Sequence, residues 1–239
     1  VAVEGARIYA TTGNLNIDSA QLTSWKADTN TFMANAATIK TRLGWTDAAY
    51  HVRPGIEARA TGDISLATDW DFQKKTGTVF DWRYLSGAES GFLSLRAAGN
   101  VNLNASLSDG FASALTTAAL ASAQNSWSYR IASGADTTAA APLALQSPAA
   151  LGNGGNLTLA SGKLVRTGTG AIDIAAGGDI TAAAATSVIY TAGTTGASIP
   201  TSEFASIHSS NNPSFPTNGG DLKLYAQGDI GFVRGTQTI

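Results

Sequence analysis

The chain has 239 residues, of which 13% are charged and 44% hydrophobic, and its formal net charge is −2. Ordinary soluble domains carry about 25% charged residues, so solubility must come mainly from hydroxyl and amide side chains. The absence of cysteine excludes disulfides and thiolate metal sites, and the lack of a basic run argues against nucleic acid as a partner. The hydrophobic fraction suffices for a buried core, and no apolar run is long enough for a membrane-spanning helix.

A short repeat recurs along the chain. Its unit is Gly, then usually Asp or Asn, then an aliphatic, a polar and an aliphatic residue. The alternation predicts a short strand with one inward face. The Gly-Asx pair predicts a turn in which the Asx residue either bonds its own backbone or adopts a left-handed conformation. The copies lie at 13–17, 62–66, 99–103, 155–159, 178–182, 220–224 and 228–232, with looser copies at 91–95 and 170–174.

Repeats of this kind are typical of solenoids, in which each strand pairs in parallel with the equivalent strand of the next turn. We therefore expect an all-β chain that forms one parallel β-helix segment over residues 1–239. An antiparallel β-sandwich is the alternative, because several short strands with regular turn signals also describe that class.

Four segments break the rhythm of the repeat and are predicted to be insertions, near residues 19–54, 68–90, 106–152 and 191–219. In a solenoid, insertions emerge as loops from the corners and tend to form the binding face. All five tryptophans lie in them. We predict that Trp25, Trp45 and Trp82 present an indole face to a glycan or protein partner, against the alternative that each packs its loop onto the coil.

Several blocks of the middle region resemble a known family. They are Pro54-Gly55-Ile56-Glu57, Gly62 through Asp71, Leu93 through Val101, Ser106 through Phe111 and Ser126 through Arg130. Together they are similar to a C-terminal region of very large filamentous-haemagglutinin-type exoproteins. The resemblance implies a right-handed β-helix, export through an outer-membrane partner pore, and a role in adhesion, aggregation or a surface filament. The Asn-Pro-Asn-Gly secretion motif of such exoproteins is absent from the sequence.

Two carboxylates flank Trp70 and are the first candidates for a chemical site. In an extended segment Asp69 and Asp71 share a face, about 6.6 Å apart at 3.3 Å per residue. That arrangement suits calcium, which takes oxygen ligands, or the pair of carboxyl groups of a glycosidase. Asp81 is a third candidate for such a pair. The alternative is that the carboxylates only order a corner loop. We expect the arginines of this region to form exposed ion pairs of little energy; they are Arg53, Arg59, Arg83, Arg96 and Arg130.

No pattern in the sequence indicates a metalloprotease or a nucleophile elbow. The sequence therefore predicts a non-enzymatic structural or adhesive module, secreted or displayed on a bacterial surface, without a cofactor other than a possible calcium ion. The expected partners are surface glycans or proteins, the secretion pore, neighbouring parts of a parent protein and other copies. The alternatives are a carbohydrate-active β-helix of the lyase or glycosidase kind and a self-polymerising fibre subunit.

Overall fold

The structure, a computed structural model, describes residues 2–85, 87–112, 115, 120–121, 125–195 and 216–233. It is mostly β, with 42% strand and 13% helix, and its larger sheets are parallel. The expected all-β class agrees with this. The parallel pairing does not fit the β-sandwich alternative, because sandwiches are built from antiparallel strands.

Three parallel sheets account for most of the strands. The first sheet has six strands: β1 (Ala2–Thr11), β3 (His51–Ala60), β8 (Phe92–Ala97), β11 (Ser128–Ser133), β14 (Ile172–Ala176) and β17 (Leu222–Ala226). The second also has six: β2 (Leu15–Ile17), β4 (Ile64–Leu66), β9 (Val101–Leu103), β12 (Leu157–Leu159), β15 (Ile180–Ala182) and β18 (Ile230–Phe232). The third has four: β5 (Trp70–Asp71), β10 (Leu107–Ser108), β13 (Leu164–Thr167) and β16 (Val188–Thr191).

The chain contributes strands to the first, second and third sheets in that order and then returns to the first sheet; each such circuit is called a passage. Strand order within each sheet therefore follows chain order. In the first passage, helices α1 (Ser19–Ala34) and α2 (Ala36–Arg42) follow β2, where the next passages have a strand of the third sheet. Strands β6 (Lys75–Thr76) and β7 (Val79–Phe80) form an antiparallel pair after β5. A short helix, α3 (Pro148–Leu151), precedes β12.

Inward side chains form continuous columns across the passages. In the second sheet one column contains Leu15, Ile64, Val101, Leu157, Ile180 and Ile230. The four central members of this column are fully buried. Equivalent residues on adjacent parallel strands lie about 4.8 Å apart, so each core side chain packs on its own counterpart in the neighbouring passage. This stacking explains why the aliphatic positions recur in the sequence.

The Asx residues of the repeat form a ladder along one corner. Each side-chain oxygen accepts a hydrogen bond from the backbone N–H of the Asx residue in the next passage, at distances of 2.7–2.9 Å. In order, the members are Asn14, Asp63, Asn100, Asn156, Asp179 and Asp229. The Gly-Asx pattern predicted that these residues bond their own backbone or adopt a left-handed conformation. Their oxygens instead bond the following passage, and none of these six residues has a positive φ.

The ladder explains the glycines before Asp63, Asn100, Asp179 and Asp229; Gly155, before Asn156, instead has a positive φ of 77°. A Cβ on Gly62 would lie 2.2 Å from Asn14 Oδ1, and one on Gly99 would lie 2.2 Å from Asp63 Oδ1. Gly178 and Gly228 are equally close to the preceding ladder oxygens. The ladder side chain therefore occupies the space that a side chain at the next glycine would need.

The four ranges predicted to be loop insertions contain helices and regular strands. The range 19–54 contains α1 and α2, and β3 already begins at His51 within it. The range 68–90 starts with a regular strand, β5, and the range 106–152 contains β10 and β11. Strand β11 belongs to the first sheet because Tyr129 and Ile131 alternate inward like the residues of the neighbouring strands. Of the range 191–219, residues 196–215 lie outside the described residues.

No helix among the described residues has the length and apolar character needed to cross a membrane.

Candidate functional site

An open cavity of about 160 Å³ lies on the flank where α1 meets the end of β5. Trp70 is directed into the core, so the residues on either side of it, Asp69 and Asp71, face outward. Both line the cavity, and so does Asp81. The remaining lining residues are Ser19, Leu22, Thr23, Lys26, Thr68, Trp70, Lys74 and Trp82. The structure therefore brings together the three carboxylates that the sequence singled out, and adds two lysines to them.

Two of the carboxylates are held by ion pairs. Asp69 Oδ1 accepts a hydrogen bond from the Ser106 N–H at 2.7 Å and lies 3.5 Å from Lys163 Nζ. Asp81 Oδ1 accepts from the Thr76 hydroxyl at 2.8 Å and lies 3.3 Å from Lys26 Nζ. These contacts fix the positions of both carboxylates and balance their charges.

Asp71 has a different environment. Its Oδ1 accepts a hydrogen bond from the Gln73 N–H at 2.9 Å. Burial, together with the charge of Asp109, raises the pKa of Asp71 to about 6, although the Gln73 N–H and the guanidinium groups of Arg166 and Arg83 oppose the shift. The Asp71 carboxyl group therefore stays protonated to a higher pH than the carboxyl group of an exposed aspartate.

Calcium at Asp69 and Asp71 remains a prediction. Among the described residues no group of three or more histidine, cysteine, aspartate or glutamate side chains is placed to hold a metal ion. Calcium takes six to eight oxygen ligands, whereas this cavity also contains the ammonium groups of Lys26 and Lys74. The contacts of Asp69 with Ser106 and of Asp71 with Gln73 match the alternative in which the carboxylates order a corner.

Two of the three tryptophans predicted to stack on a partner do not present an open face. Trp25 is 0% exposed and Trp82 is 4% exposed. The Trp25 ring stacks on Tyr9 with 4.8 Å between centroids and lies 5.7 Å from Trp70. These two predictions are corrected: the rings fasten insertions to the core. Trp45 is half-buried and stacks on Tyr50 at 4.8 Å, so its role as a binding residue remains a prediction.

The wall behind the cavity is a cluster of aromatic rings that was not predicted from the sequence. Trp70 lies 5.2 Å from Trp82, and Phe72 stacks on Trp127 at 4.4 Å. The Trp127 Nε1–H donates to the carbonyl oxygen of Trp82 at 2.9 Å. Rings from α1, from β5 and its following segment, and from the segment before β11 thus form one rigid packing unit.

A buried ion pair anchors this cluster. Arg83 Nη2 lies 2.6 Å from Asp109 Oδ1, and neither side chain is exposed. Complete burial raises the pKa of Asp109, while Arg83 and the N–H groups of Trp127 and Gly110 oppose that rise by bonding the carboxylate. Arg83 was expected to form an exposed pair of little energy, and so was Arg96, which is buried against Glu57 at 3.1 Å. Both expectations are wrong, because the insertions cover these side chains.

In comparisons with protein-family models, curated proteins and solved structures, nothing matches this chain. The similarity to filamentous-haemagglutinin-type exoproteins therefore remains an expectation from the sequence blocks. What the site can do has to be argued from its own geometry.

Proposed function

We propose that this chain is a stretch of right-handed parallel β-helix from a secreted bacterial surface protein, and that it serves as a structural and adhesive module. The observation that carries the proposal is the fixed recurrence of the three parallel sheets, with the Asx ladder joining successive passages. Parallel strands that stack in this way suit a long, stiff scaffold, because each turn contacts only its neighbours.

The position of the insertions supports an adhesive role. Helix α1, the segment that follows the β6–β7 hairpin and the segment before β11 pack together on one flank. Loops held by a rigid scaffold are the usual carriers of recognition. In this proposal the coil supplies length and stiffness, and the insertion flank contacts glycans or proteins on another surface.

The location, export and partners that we propose are inferred from the composition and from the resemblance of the sequence to filamentous-haemagglutinin-type exoproteins. A cysteine-free chain with 13% charged residues does not depend on disulfides or on an ionic surface for solubility. Within the proposal, an outer-membrane pore exports the parent protein. Neighbouring parts of that protein and other copies are its further partners.

A glycan-array screen of the folded chain, with and without calcium and coupled to an assay for polysaccharide depolymerisation, tests the proposal. We expect saturable binding without cleavage and without a calcium requirement. Cleavage of a bound glycan would overturn the assignment as a non-enzymatic module. Loss of binding on chelation would restore the calcium site at Asp69 and Asp71.

One observation favours a second candidate function, which is polysaccharide cleavage. Asp71, whose pKa is raised to about 6, shares a cavity with Asp69 and Asp81. A glycoside hydrolase pairs a carboxyl group of raised pKa with a second, ionised carboxylate. In the depolymerisation assay, this candidate requires activity that D71N abolishes and that D47N, a change in an exposed turn, leaves intact.

A further inference from the structure

Lys74 and Asp71 lie at the two ends of one tight turn. The Lys74 N–H donates to the carbonyl oxygen of Asp71 at 3.2 Å, which closes the turn. Both residues line the 160 Å³ cavity, so the turn places an acidic and a basic group at the same opening. Neither group is committed elsewhere within the described part of the chain: the second carboxylate oxygen of Asp71 accepts no hydrogen bond there, and Lys74 Nζ makes no ion pair.

The other charges around the cavity are already balanced. Asp81 is paired with Lys26 and Asp69 with Lys163. The remaining charges, those of Asp71 and Lys74, are opposite in sign, so the cavity gives a strongly charged ligand of either sign no net attraction. The cavity therefore favours a ligand that is neutral and rich in hydroxyl groups.

Hydroxyl groups match the two uncommitted side chains. A hydroxyl can donate to the Asp71 carboxylate and a neighbouring hydroxyl can accept from the Lys74 ammonium, so a pair of adjacent hydroxyls satisfies both. The hydroxyls of Ser19, Thr23 and Thr68 add weaker partners around the opening. Trp70 and Trp82 lie behind the cavity but are only 1% and 4% exposed, so the polar groups carry the recognition.

We propose that this cavity binds one neutral sugar residue through two adjacent hydroxyls, one donating to Asp71 and one accepting from Lys74. The inference rests on the proposed adhesive function and deepens it by naming the ligand class and the residues. Of the three tryptophans predicted from the sequence, only Trp82 borders the cavity, and it is too buried to stack on the ligand.

The test titrates the whole chain with neutral methyl glycosides of glucose, galactose, mannose and N-acetylglucosamine, and with the anionic methyl glucuronide. Intrinsic tryptophan fluorescence and calorimetry report binding. We expect a saturable response to at least one neutral glycoside, with a Kd on the order of millimolar, as is usual for one ring with few contacts. The glucuronide should bind more weakly than the neutral glycoside of the same configuration.

Two variants and two matched controls locate the site. D71A and K74A should each weaken binding about tenfold or more, because each removes a charge-assisted hydrogen bond. D47A removes a similar bond, from the Ala49 N–H to Asp47 at 2.8 Å, in an exposed turn that does not line the cavity. K40A removes a lysine from α2, and neither control should change the affinity. If D71A lowers the melting temperature, D71N serves instead, since an amide oxygen can still accept from the Gln73 N–H.

The outcomes separate this inference from the adhesive proposal. Glycan-array binding that survives unchanged in D71A and K74A would overturn the sugar site and leave the adhesive module standing. Cleavage of the bound glycan would overturn the non-enzymatic module, yet the same two variants would still report on the site. No saturable response to any neutral glycoside would overturn the inference outright.

Discussion

At four of the five ladder steps, a carboxylate or amide oxygen fills the volume that a side chain would need at the glycine of the next passage. Asn14 lies against Gly62 and Asp63 lies against Gly99, with the would-be Cβ only 2.2 Å away in both cases. The Asx residue of one passage and the glycine of the next passage therefore depend on each other. Its hydrogen bond spans 49 residues between Asn14 and Asp63, although the motif reads as a local turn.

Replacing Gly62 by alanine tests this dependence. The added methyl would displace the Asn14 side chain and press on the Gly13 backbone, so we expect a loss of about 1–3 kcal/mol in the free energy of unfolding. Gly231 is the control, since nothing lies within 4 Å of a Cβ built there. G231A should be neutral or stabilise by about 0.4–1 kcal/mol. Urea unfolding measures both, and equal effects of the two substitutions would disprove the steric explanation.

Asp71 gives a second prediction, on pH dependence. Its folded pKa of about 6 lies above the ordinary value of 3.8, so ionising this carboxyl in the folded protein costs stability. The cost is absent below pH 3.8, grows as the pH rises towards 6 and is complete above it. D71N should therefore stabilise the protein at pH 8 by about 1–2 kcal/mol, allowing for solvent screening of a partly exposed group.

Thermal unfolding of wild type and D71N from pH 4.5 to pH 8 measures that difference. The advantage of the variant should shrink as the pH falls. An advantage that is constant with pH would mean that burial does not raise the Asp71 pKa.

Among the secondary-structure elements, helix α1 is the main feature that was not predicted from the sequence. Asp18 is its N-cap and accepts from the Gln21 N–H at 2.9 Å, so Asp18 and Gln21 occupy the two positions of a capping box. That signal is present in the sequence. The rest of the helix gives no matching signal, because it has no continuous apolar stripe: of its residues only Trp25, Thr29 and Met33 are buried, at a spacing of four.

The cap can be tested directly. D18A should destabilise the protein by about 1 kcal/mol, because the first turn of α1 loses a side-chain acceptor for its free N–H groups. D18S keeps an acceptor at the same position and should cost less than about half of that. Chemical unfolding monitored by circular dichroism distinguishes the two, and equal losses would show that the carboxylate acts through its charge and not as a cap.

The candidate site was predictable only in part, for a physical reason. Alternation along β5 fixes Asp69 and Asp71 on one outward face, and this information is local. The approach of Lys26 from α1, the burial of Trp82 and the pairing of Arg83 with Asp109 depend on how separate insertions fold onto one flank. No spacing within the sequence encodes those contacts.

At the scale of the whole molecule, the inward columns make each passage depend on the next. Ile64 is fully buried between Leu15 and Val101, so I64D would place an unpaired charge in the stack. We expect loss of the cooperative melting transition, and the same for L103D. S65D, on the outward face of the same strand, should retain it. A native transition in I64D, followed by calorimetry, would contradict the inward position of this side chain.

The two ends of the stack differ in polarity. In the first passage, Arg7 and Tyr9 face Asp28 of α1, with an ion pair at 2.9 Å and a hydrogen bond at 2.8 Å. In the last described passage, Leu222 and Phe232 are 42% and 43% exposed, without a helix packed on them among the described residues.

The Asx ladder also gives the chain a direction of assembly. In every step the earlier passage supplies a side-chain oxygen and the later passage a backbone N–H, and in four of the five steps a glycine of the later passage leaves room for that oxygen. A folded passage is thus a template: it presents acceptors that the backbone of the next passage can bond before the side chains of that next passage are placed. A polypeptide that emerges gradually, amino end first, would meet each template in the order in which it is needed.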